Sequence, residues 1–342
     1  MRAIGYEKSL PITDDNALVD IDLPRPEPRG SDLLVEVRAI SVNPVDTKVR
    51  MRAEPEPGDY KVLGWDAAGV VLAKGSDVTG FAVGDEVFYA GDLTRPGTNA
   101  EFHLVDERIV GRKPKSLSWA EAAALPLTAI TAWEALFDRL NINTAIPGAP
   151  PVVLIIGGAG GVGSIAVQLA SKLTDVTVIA TASRPETRDW VLNLGADYVV
   201  DHSKPLAKQV ADLGLGAPAY VFSTTNTDDH LTEIAELIAP QGRFSLIDDP
   251  SSLDISPFKR KSVSTHWEFM FTRSMFKTAD MAAQGKLLNE ISKHVDDGIL
   301  KTTLGENFGA INAENLRRAH QFIESGKAKG KVVLERFGTT VD

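Results

Sequence analysis

The sequence predicts an α/β protein with two domains, a β-rich barrel-like domain and a doubly wound parallel-sheet domain. Short alternating segments separated by glycines fill the first third of the chain, and apolar runs alternate with helical segments after residue 150. A chain of 342 residues that is 43% apolar and 24% charged is long enough to bury two cores. This composition is that of an ordinary globular protein.

The first domain is predicted from short strands. Residues 33–43, "LLVEVRAISVN", alternate apolar and polar side chains, and residues 67–91 contain β-branched runs separated by Gly75, Gly80 and Gly84. Short strands joined by tight turns favour a small barrel-like unit. Residues 119–140, "WAEAAALPLTAITAWEALFDRL", then have helical spacing and composition, and turn residues follow them.

The second domain is predicted from alternating strands and helices. Residues 151–158, "PVVLIIGG", form an apolar run typical of a strand buried on both faces, and a helical segment follows. The segment 184–195 predicts a helix, with Pro185 in its first turn and Gly195 just past its end. Further strands are predicted at 176–183, 197–202, 219–226 and 243–249. This succession implies a parallel sheet with right-handed crossovers, and the tail, residues 307–337, predicts a helix and a strand that returns to the first domain.

Composition excludes several classes of function. The chain has no cysteine, which excludes disulfides, thiolate zinc sites and a cysteine nucleophile. A net charge of −10 disfavours nucleic acid, and the basic residues are scattered apart from "FKRK" at 258–261. Neither a signal peptide nor a membrane-spanning apolar stretch is recognisable. We therefore expect a soluble cytoplasmic protein with no nucleic-acid or membrane partner.

A glycine-rich turn predicts dinucleotide binding. Gly158, Gly160, Gly161, Val162 and Gly163 form a G-x-G-x-x-G pattern directly after a predicted strand and at the start of a predicted helix. The glycines allow a tight turn, a close approach to a pyrophosphate and close packing of helix on strand. Unpaired N–H groups at the helix N-terminus favour the diphosphate. The alternative is a purely structural glycine-rich turn, but the strand-turn-helix context predicts a Rossmann cofactor domain.

The end of the following strand predicts which dinucleotide is bound. An acidic side chain there would hold the ribose 2′-hydroxyl of NAD, but the chain reads Thr-Ala-Ser-Arg at 181–184. Ser183 can donate a hydrogen bond to a 2′-phosphate, and Arg184 can form a charge-assisted pair with it. We therefore predict NADPH. Alternatively, Arg184 and Arg188 are solvated residues of a surface helix, which for Arg188 is as plausible as ligation.

The chain resembles the medium-chain dehydrogenase/reductase superfamily. The segments that carry the resemblance are "GGAGGVG" at 157–163, "LGAD" at 194–197 and "ESGKAKGKVVL" at 324–334. Three further segments, "AISVNPVDTKVR", "ALPLTAITAWEAL" and "STHWEFMFTR", resemble its quinone oxidoreductase branch, whose members are often labelled zinc-type alcohol dehydrogenase-like. The resemblance implies a GroES-like catalytic domain at 1–127 and 268–342, and a Rossmann NADP(H)-binding domain at 128–267.

The resemblance also indicates which residues stand at the positions of the zinc ligands. In zinc members of the superfamily, the catalytic ion is held by a Cys on the first loop, the His of a G-H-E motif, and a Cys or acidic residue before the cofactor domain. Motif alignment places Asn43, Trp65 and approximately Leu127 at these positions, and Asp66 replaces the Glu. Trp and Leu cannot ligate zinc, and a single amide cannot hold it in a tetrahedral site. The segment that would carry a second zinc is short and lacks thiols, so we predict no metal.

Without a Lewis acid, the expected substrate is an acceptor that is already electron-poor. The branch implies hydride transfer to a quinone or an activated α,β-unsaturated carbonyl, because both delocalise the added charge onto oxygen. The first alternative is an enoyl-thioester or 2-alkenal reductase. The second is a non-catalytic NADPH-binding protein with a crystallin-like or sensor role.

Several residues are candidates for contact with the substrate or the nicotinamide. Asn43 is predicted to donate its amide to the substrate oxygen or to shape its loop, whereas Asp46 is predicted to be structural. Trp65 is predicted to form a wall of the pocket. Tyr89 is predicted either to donate its hydroxyl to the acceptor or to belong to the barrel core. Thr128 and Thr131 match the family's helix beside the nicotinamide.

Other candidates concern the cofactor and subunit contacts. Ser223 and Thr224 end a predicted strand on the side where open α/β sheets bind ligands. His266 lies where the family's backbone approaches the nicotinamide. Its side chain is predicted to be paired or exposed; the alternatives are that it acts as an acid catalyst or that it binds a metal together with Glu268. Lys331 matches a family cofactor contact, although a solvated lysine is an alternative. The resemblance implies a homodimer, with Trp267, Phe269 and Phe271 at its interface.

Overall fold

A computed structural model describes residues 1–338, and the chain divides into two units. Unit 1 consists of Met1–Ile130 and Phe271–Asp342, and unit 2 of Thr131–Met270. In chain order the strands are β1 (Arg2–Tyr6), β2 (Val19–Asp22), β3 (Asp32–Val42), β4 (Lys61–Val62), β5 (Asp66–Lys74), β6 (Glu86–Ala90), β7 (Phe102–Asp106), β8 (Val110–Arg112), β9 (Val152–Ile156), β10 (Thr177–Thr181), β11 (Tyr198–Val200), β12 (Tyr220–Ser223), β13 (Arg243–Leu246), β14 (Ser264–Trp267), β15 (Leu304–Asn307) and β16 (Lys331–Glu335).

The α-helices follow the same order along the chain. They are α1 (Pro44–Arg52), α2 (Trp119–Ala123), α3 (Pro126–Trp133), α4 (Gly161–Leu173), α5 (Pro185–Leu194), α6 (Leu206–Asp212), α7 (Thr227–Leu237), α8 (Thr272–Met275), α9 (Ala283–Asp296) and α10 (Ala313–Glu324). A π-helical stretch, Glu134–Arg139, follows α3 directly, and short 3₁₀ turns cover Asp15–Ala17, Glu107–Ile109 and Ser256–Lys261.

Unit 1 is built around the long strand β3. Strands follow the order β15-β16-β3-β5-β6-β8, and β7 also pairs with β3. The β3–β5 pairing is antiparallel and brings Ser41 opposite Asp66. A side chain at Gly69 of β5 would overlap the carbonyl oxygen of Glu36 on β3, so only glycine fits there. The GroES-like β-rich domain predicted from the sequence is confirmed.

The C-terminal tail completes the sheet of unit 1. Strand β16 pairs antiparallel with β3, with Val332 opposite Val42. Helix α10 precedes it, as the sequence predicts. Strand β16 also carries Lys331, whose side chain faces the interior.

Unit 2 is a parallel sheet with the strand order β11-β10-β9-β12-β13-β14. All five residues of β9 are buried, because helices cover both faces of the sheet. Val152, Leu154 and Ile156 belong to one core cluster, and Val153 and Ile155 are buried on the opposite face. This arrangement confirms the predicted Rossmann fold with doubly wound topology.

The segment 119–140, which has helical spacing and composition, forms α2, α3 and the π-helical stretch. Helix α2 ends at Ala123 and α3 begins at Pro126. Proline lacks an N–H, and its ring clashes with the preceding turn of a continuous helix, so Pro126 starts a new helix instead. Within residues 1–338, none of the helices combines the length and the apolar character needed to cross a membrane.

Candidate functional site

The glycine turn joins β9 to α4 in unit 2. Gly157 has φ of 80°, a left-handed conformation that favours glycine, and α4 begins at Gly161. A side chain at Gly163 would overlap the carbonyl oxygen of Gly157, and a Cβ at Gly158 would lie 2.9 Å from the Cβ of Ala180. These two glycines therefore allow the helix to pack closely on the sheet.

Gly160 differs from its neighbours, since a Cβ there would come no closer than 3.5 Å to the protein. The fold does not require glycine at this position, but an approaching ligand would. The first turn of α4, which includes Val162, presents N–H groups that have no partner within the helix. The residues present therefore fit the diphosphate of a nicotinamide dinucleotide.

The predicted 2′-phosphate residues follow β10. Ser183 is exposed, and the Nε atom of Arg184 lies 3.2 Å from Oε1 of Glu186. Arg188 donates through Nη2 to the carbonyl oxygen of Val199 at 3.3 Å, which ties it to β11. Sequence reasoning missed Glu186, although its position two residues after Arg184 indicates a competing carboxylate.

A second residue that the sequence analysis missed lies beside the glycine turn. The backbone N–H of Gly157 donates to the hydroxyl of Thr181 at 2.9 Å, and the same hydroxyl lies 3.1 Å from Nδ1 of His202. Burial is the main cause that lowers the pKa of His202, so the ring is neutral at neutral pH. The hydroxyl of Thr181 therefore links the glycine turn to a neutral imidazole.

The polar residues at the end of β12 turn inward. The hydroxyl of Ser223 is buried and lies 2.8 Å from that of Thr227, and Thr224 donates to the carbonyl oxygen of Ile156 at 2.8 Å. These bonds hold the loop against the end of β9. The predicted cofactor contacts of Ser223 and Thr224 stay predictions.

His266 lies on β14, half-buried, and burial together with Arg139 and Arg243 lowers its pKa. Its Nε2 atom is buried and has no hydrogen-bond partner among the described residues. Glu268 is buried, and its Oε2 lies 2.9 Å from Nε of Arg139. This ion pair disfavours a metal site formed by Glu268 and His266.

Unit 1 contains a buried polar cluster, which we call the Asp66 cluster, formed by Asn43, Asp46, Asp66 and Lys331. Nδ2 of Asn43 donates to Oδ2 of Asp66 at 2.8 Å, and the backbone N–H of Leu127 donates to Oδ1 of Asp66 at 2.7 Å. The ammonium group of Lys331 lies 3.2 Å from Oδ2 of Asp66 and also donates to Oδ1 of Asn43. The alternative that Lys331 is solvated is wrong, because only 2% of it is exposed.

Burial controls the charges of the Asp66 cluster. It raises the pKa of Asp46 to about 7, although the backbone N–H of Asn43, 2.8 Å away, favours the ionised form. Burial also raises the pKa of Asp66 and lowers that of Lys331, while their mutual attraction acts in the opposite direction for each group. Asp46 bonds the backbone, which agrees with the structural role predicted for it.

The remaining candidates in unit 1 are also buried. Trp65 donates through Nε1 to the carbonyl oxygen of Asp92 at 3.2 Å and packs edge-on against Phe271, with ring centroids 6.0 Å apart. Phe271 is 2% exposed, so its predicted place on a dimer interface is wrong. Trp267 and Phe269 are exposed.

Tyr89 is placed in the barrel core rather than at a surface. Its hydroxyl lies 3.1 Å from Nδ1 of His103, whose Nε2 donates to the carbonyl oxygen of Pro96 at 3.0 Å. Burial raises the pKa of Tyr89 and lowers that of His103 to about 4.

Thr128 is buried and donates to the carbonyl oxygen of Leu125, and Thr131 is buried on α3. The catalytic roles predicted for Tyr89 and Thr131 stay predictions.

Comparison with known proteins identifies the family. A model described as an alcohol dehydrogenase GroES-like domain matches residues 29–127, and one described as a zinc-binding dehydrogenase matches residues 194–334. A zinc-type alcohol dehydrogenase-like protein of Staphylococcus aureus is 42% identical over 98% of this chain and 99% of its own length. The chain belongs to the medium-chain dehydrogenase/reductase superfamily. It is therefore an oxidoreductase that uses a nicotinamide cofactor.

Solved members of the superfamily share the fold. A Rhizobium etli protein described as a zinc-dependent alcohol dehydrogenase is 68% identical, with a TM-score of 0.98 over 99% of this chain and 98% of that protein. A quinone oxidoreductase of Coxiella burnetii is 27% identical, with a TM-score of 0.79 over 98% of this chain and 99% of that protein. A mycobacterial protein solved with NADPH is 26% identical, with a TM-score of 0.81 and the same coverage.

One relative is named for its substrate. The 2-methylene-furan-3-one reductase of Solanum lycopersicum is 28% identical over 90% of this chain and 73% of its own length.

The residues of this superfamily member do not fit a zinc ion. The resemblance assigns the ligand positions to Asn43, Trp65 and Leu127, and the carboxylate of Asp66 is already bonded to Asn43, Leu127 and Lys331. Within residues 1–338, no three His, Cys, Asp or Glu side chains are grouped so that they could hold a metal ion. Tetrahedral zinc needs several such ligands.

Proposed function

We propose that the protein is a zinc-independent, NADPH-dependent reductase that transfers hydride to quinones or activated α,β-unsaturated carbonyls. The observation that carries this proposal is the set of side chains at the zinc-ligand positions. Asn43, Trp65 and Leu127 leave a simple alcohol without a metal to stabilise its alkoxide, whereas a conjugated acceptor delocalises the added charge itself. The names of the Coxiella and Solanum relatives agree with this substrate class.

The chain's own residues would bind and orient the dinucleotide. The glycine turn and the N-terminus of α4 would receive the diphosphate, and the open space beside Gly160 allows the backbone to approach it. Ser183 and Arg184 would bind a 2′-phosphate, since a carboxylate is missing from the end of β10. A mycobacterial neighbour of the same fold was solved with NADPH. The bound dinucleotide supplies the hydride.

The polar side chains of the Asp66 cluster are already hydrogen-bonded within the protein, and the carboxyl of Asp46 accepts from the backbone N–H of Asn43. The amide of Asn43 already donates to Asp66, and Lys331 donates to three acceptors. The hydroxyl of Tyr89 is directed to His103. We therefore propose that water delivers this proton and that Trp65 acts through its shape.

The test is an NADPH oxidation assay with a benzoquinone, a 2-alkenal, a crotonyl thioester and a saturated ketone. We expect turnover with the quinone, a preference for NADPH over NADH, and substoichiometric zinc by elemental analysis. Turnover of the thioester or the alkenal without the quinone would favour an enoyl-thioester or 2-alkenal reductase, and NADPH binding without turnover would favour the non-catalytic role. Activity on the saturated ketone alone, or stoichiometric zinc, would overturn the proposal.

We also propose that the protein is a homodimer. Strand β14 lies at the edge of the unit 2 sheet and ends at Trp267, which is 53% exposed; Phe269, two residues beyond the strand, is 46% exposed. An open strand edge with large apolar side chains favours pairing with another chain.

The predicted cytoplasmic location stays a prediction, which fractionation of the source cells would test.

A further inference from the structure

Asp66 is bonded to each segment that the resemblance assigns to a zinc ligand. It follows Trp65 in the chain, its Oδ2 accepts from the side chain of Asn43 at 2.8 Å, and its Oδ1 accepts from the backbone of Leu127 at 2.7 Å. One carboxylate therefore joins the loop after β3, the start of β5 and the first turn of α3. These are the segments that a metal ion would otherwise hold together.

Lys331 supplies the positive charge beside this carboxylate. Its ammonium group has three hydrogens and three acceptors, which are Oδ2 of Asp66 at 3.2 Å, the carbonyl oxygen of Val42 at 3.1 Å, and Oδ1 of Asn43. The group is a compact cation bound by oxygen atoms from two different strands and one loop. Because the same amide of Asn43 accepts from Lys331 and donates to Asp66, its orientation is fixed.

Every charged member of the Asp66 cluster is at least 98% buried. An ion pair in such a place is a poor source of net stability, because both charges have lost their water. Its geometry, in contrast, is specific: moving either group leaves a buried charge without a partner. The cluster is therefore better suited to fixing positions than to stabilising the fold.

We propose that Asp66 and Lys331 are positioning residues of the candidate site, an internal ion pair that holds the segments carrying Asn43, Trp65 and Leu127 in the absence of zinc. This inference rests on the proposed function, because it assumes a zinc-independent reductase. Neither residue needs to touch the acceptor. Their effect on turnover passes through the placement of Trp65 and Asn43.

The test compares Lys331→Met with Lys113→Met. Both lysines are buried in unit 1 and contact a carboxylate and a backbone carbonyl, but Lys113 pairs with Glu86 outside the Asp66 cluster. In Lys331→Met we expect amide hydrogen exchange at Leu127 to quicken about tenfold and kcat/KM for the acceptor to fall about tenfold, with the Kd of NADPH changed less than about twofold. In Lys113→Met we expect none of these changes.

Two further outcomes are decisive. Unchanged exchange at Leu127 together with weaker NADPH binding would make Lys331 a direct cofactor contact and overturn the inference. If Lys331→Met does not fold, the double variant Asp66→Asn with Lys331→Met removes both charges and is measured in the same way, and a wild-type kcat/KM there would overturn the inference. If the wild type reduces none of the acceptors, the proposed function fails, and the exchange at Leu127 still tests the ion pair by itself.

Discussion

At the scale of single residues, the glycine turn separates binding from folding. Gly160→Ala adds a methyl group into open space, so the variant should fold with the stability of the wild type but bind NADPH about tenfold more weakly. Gly163→Ala should instead lose about 1–3 kcal/mol, because its methyl group overlaps the backbone of Gly157. Thermal unfolding and a fluorescence titration with NADPH measure the two effects. Equal loss of stability in both variants would contradict this division.

Arg184 and Glu186 set the cofactor preference in our account. Arg184→Ala should lower the ratio of kcat/KM for NADPH to that for NADH about tenfold, because a charge-assisted pair with the 2′-phosphate is lost. Glu186→Gln should raise the same ratio, since it frees Arg184 from a carboxylate that also repels the phosphate. Steady-state kinetics with both dinucleotides check this. A ratio that does not move in Arg184→Ala would assign the preference to another residue.

At the scale of elements, the π-helical stretch after α3 brings Arg139 to the buried Glu268. Burial and the like charge of Glu134 raise the pKa of Glu268 from its ordinary 4.5 to about 8. Between pH 4.5 and 8 the carboxyl group of Glu268 is ionised in the unfolded chain but still protonated in the folded protein. The contribution of Glu268 to stability is thus fully present below pH 4.5 and is lost as the pH rises to 8.

The corresponding measurement is the free energy of unfolding between pH 5 and 8 in wild type and Glu268→Gln. The difference between the two should grow in favour of the variant as the pH rises. Asp212→Asn, which removes an exposed ion pair with Lys208 in the same unit, serves as the control and should leave the pH dependence unchanged. Parallel curves for wild type and Glu268→Gln would show that Glu268 keeps an ordinary pKa.

Local patterns predicted most elements but not the Asp66 cluster. The apolar run of β9 and the proline and glycine that bound α5 are local signals, and the structure has both elements where they were expected. Pro126, at which α3 begins, is a local signal as well. Lys331 and Asp66 are far apart in the sequence, and they meet because β16 and β5 both pair with β3. A single sequence contains no signal for such a long-range contact.

At the scale of the whole molecule, the proposed dimer can be tested on the edge strand. Trp267→Glu should convert the dimer to a monomer, because a carboxylate beside an open strand edge opposes pairing. Val83→Glu, at a 64% exposed residue of unit 1, serves as the control and should leave the mass unchanged. Light scattering coupled to size-exclusion chromatography gives the mass. A wild-type monomer would contradict the proposal.

The order of the units along the chain has a consequence for synthesis. Unit 2 is continuous in sequence, so it can fold as soon as it has left the ribosome, whereas β3 waits for its neighbour β16, which is translated after unit 2. Until then the carboxylate of Asp66 has no lysine beside it, and the nascent N-terminal segment must keep it hydrated. A stop codon a few residues before Lys331 would therefore leave a folded cofactor domain attached to an unfinished barrel.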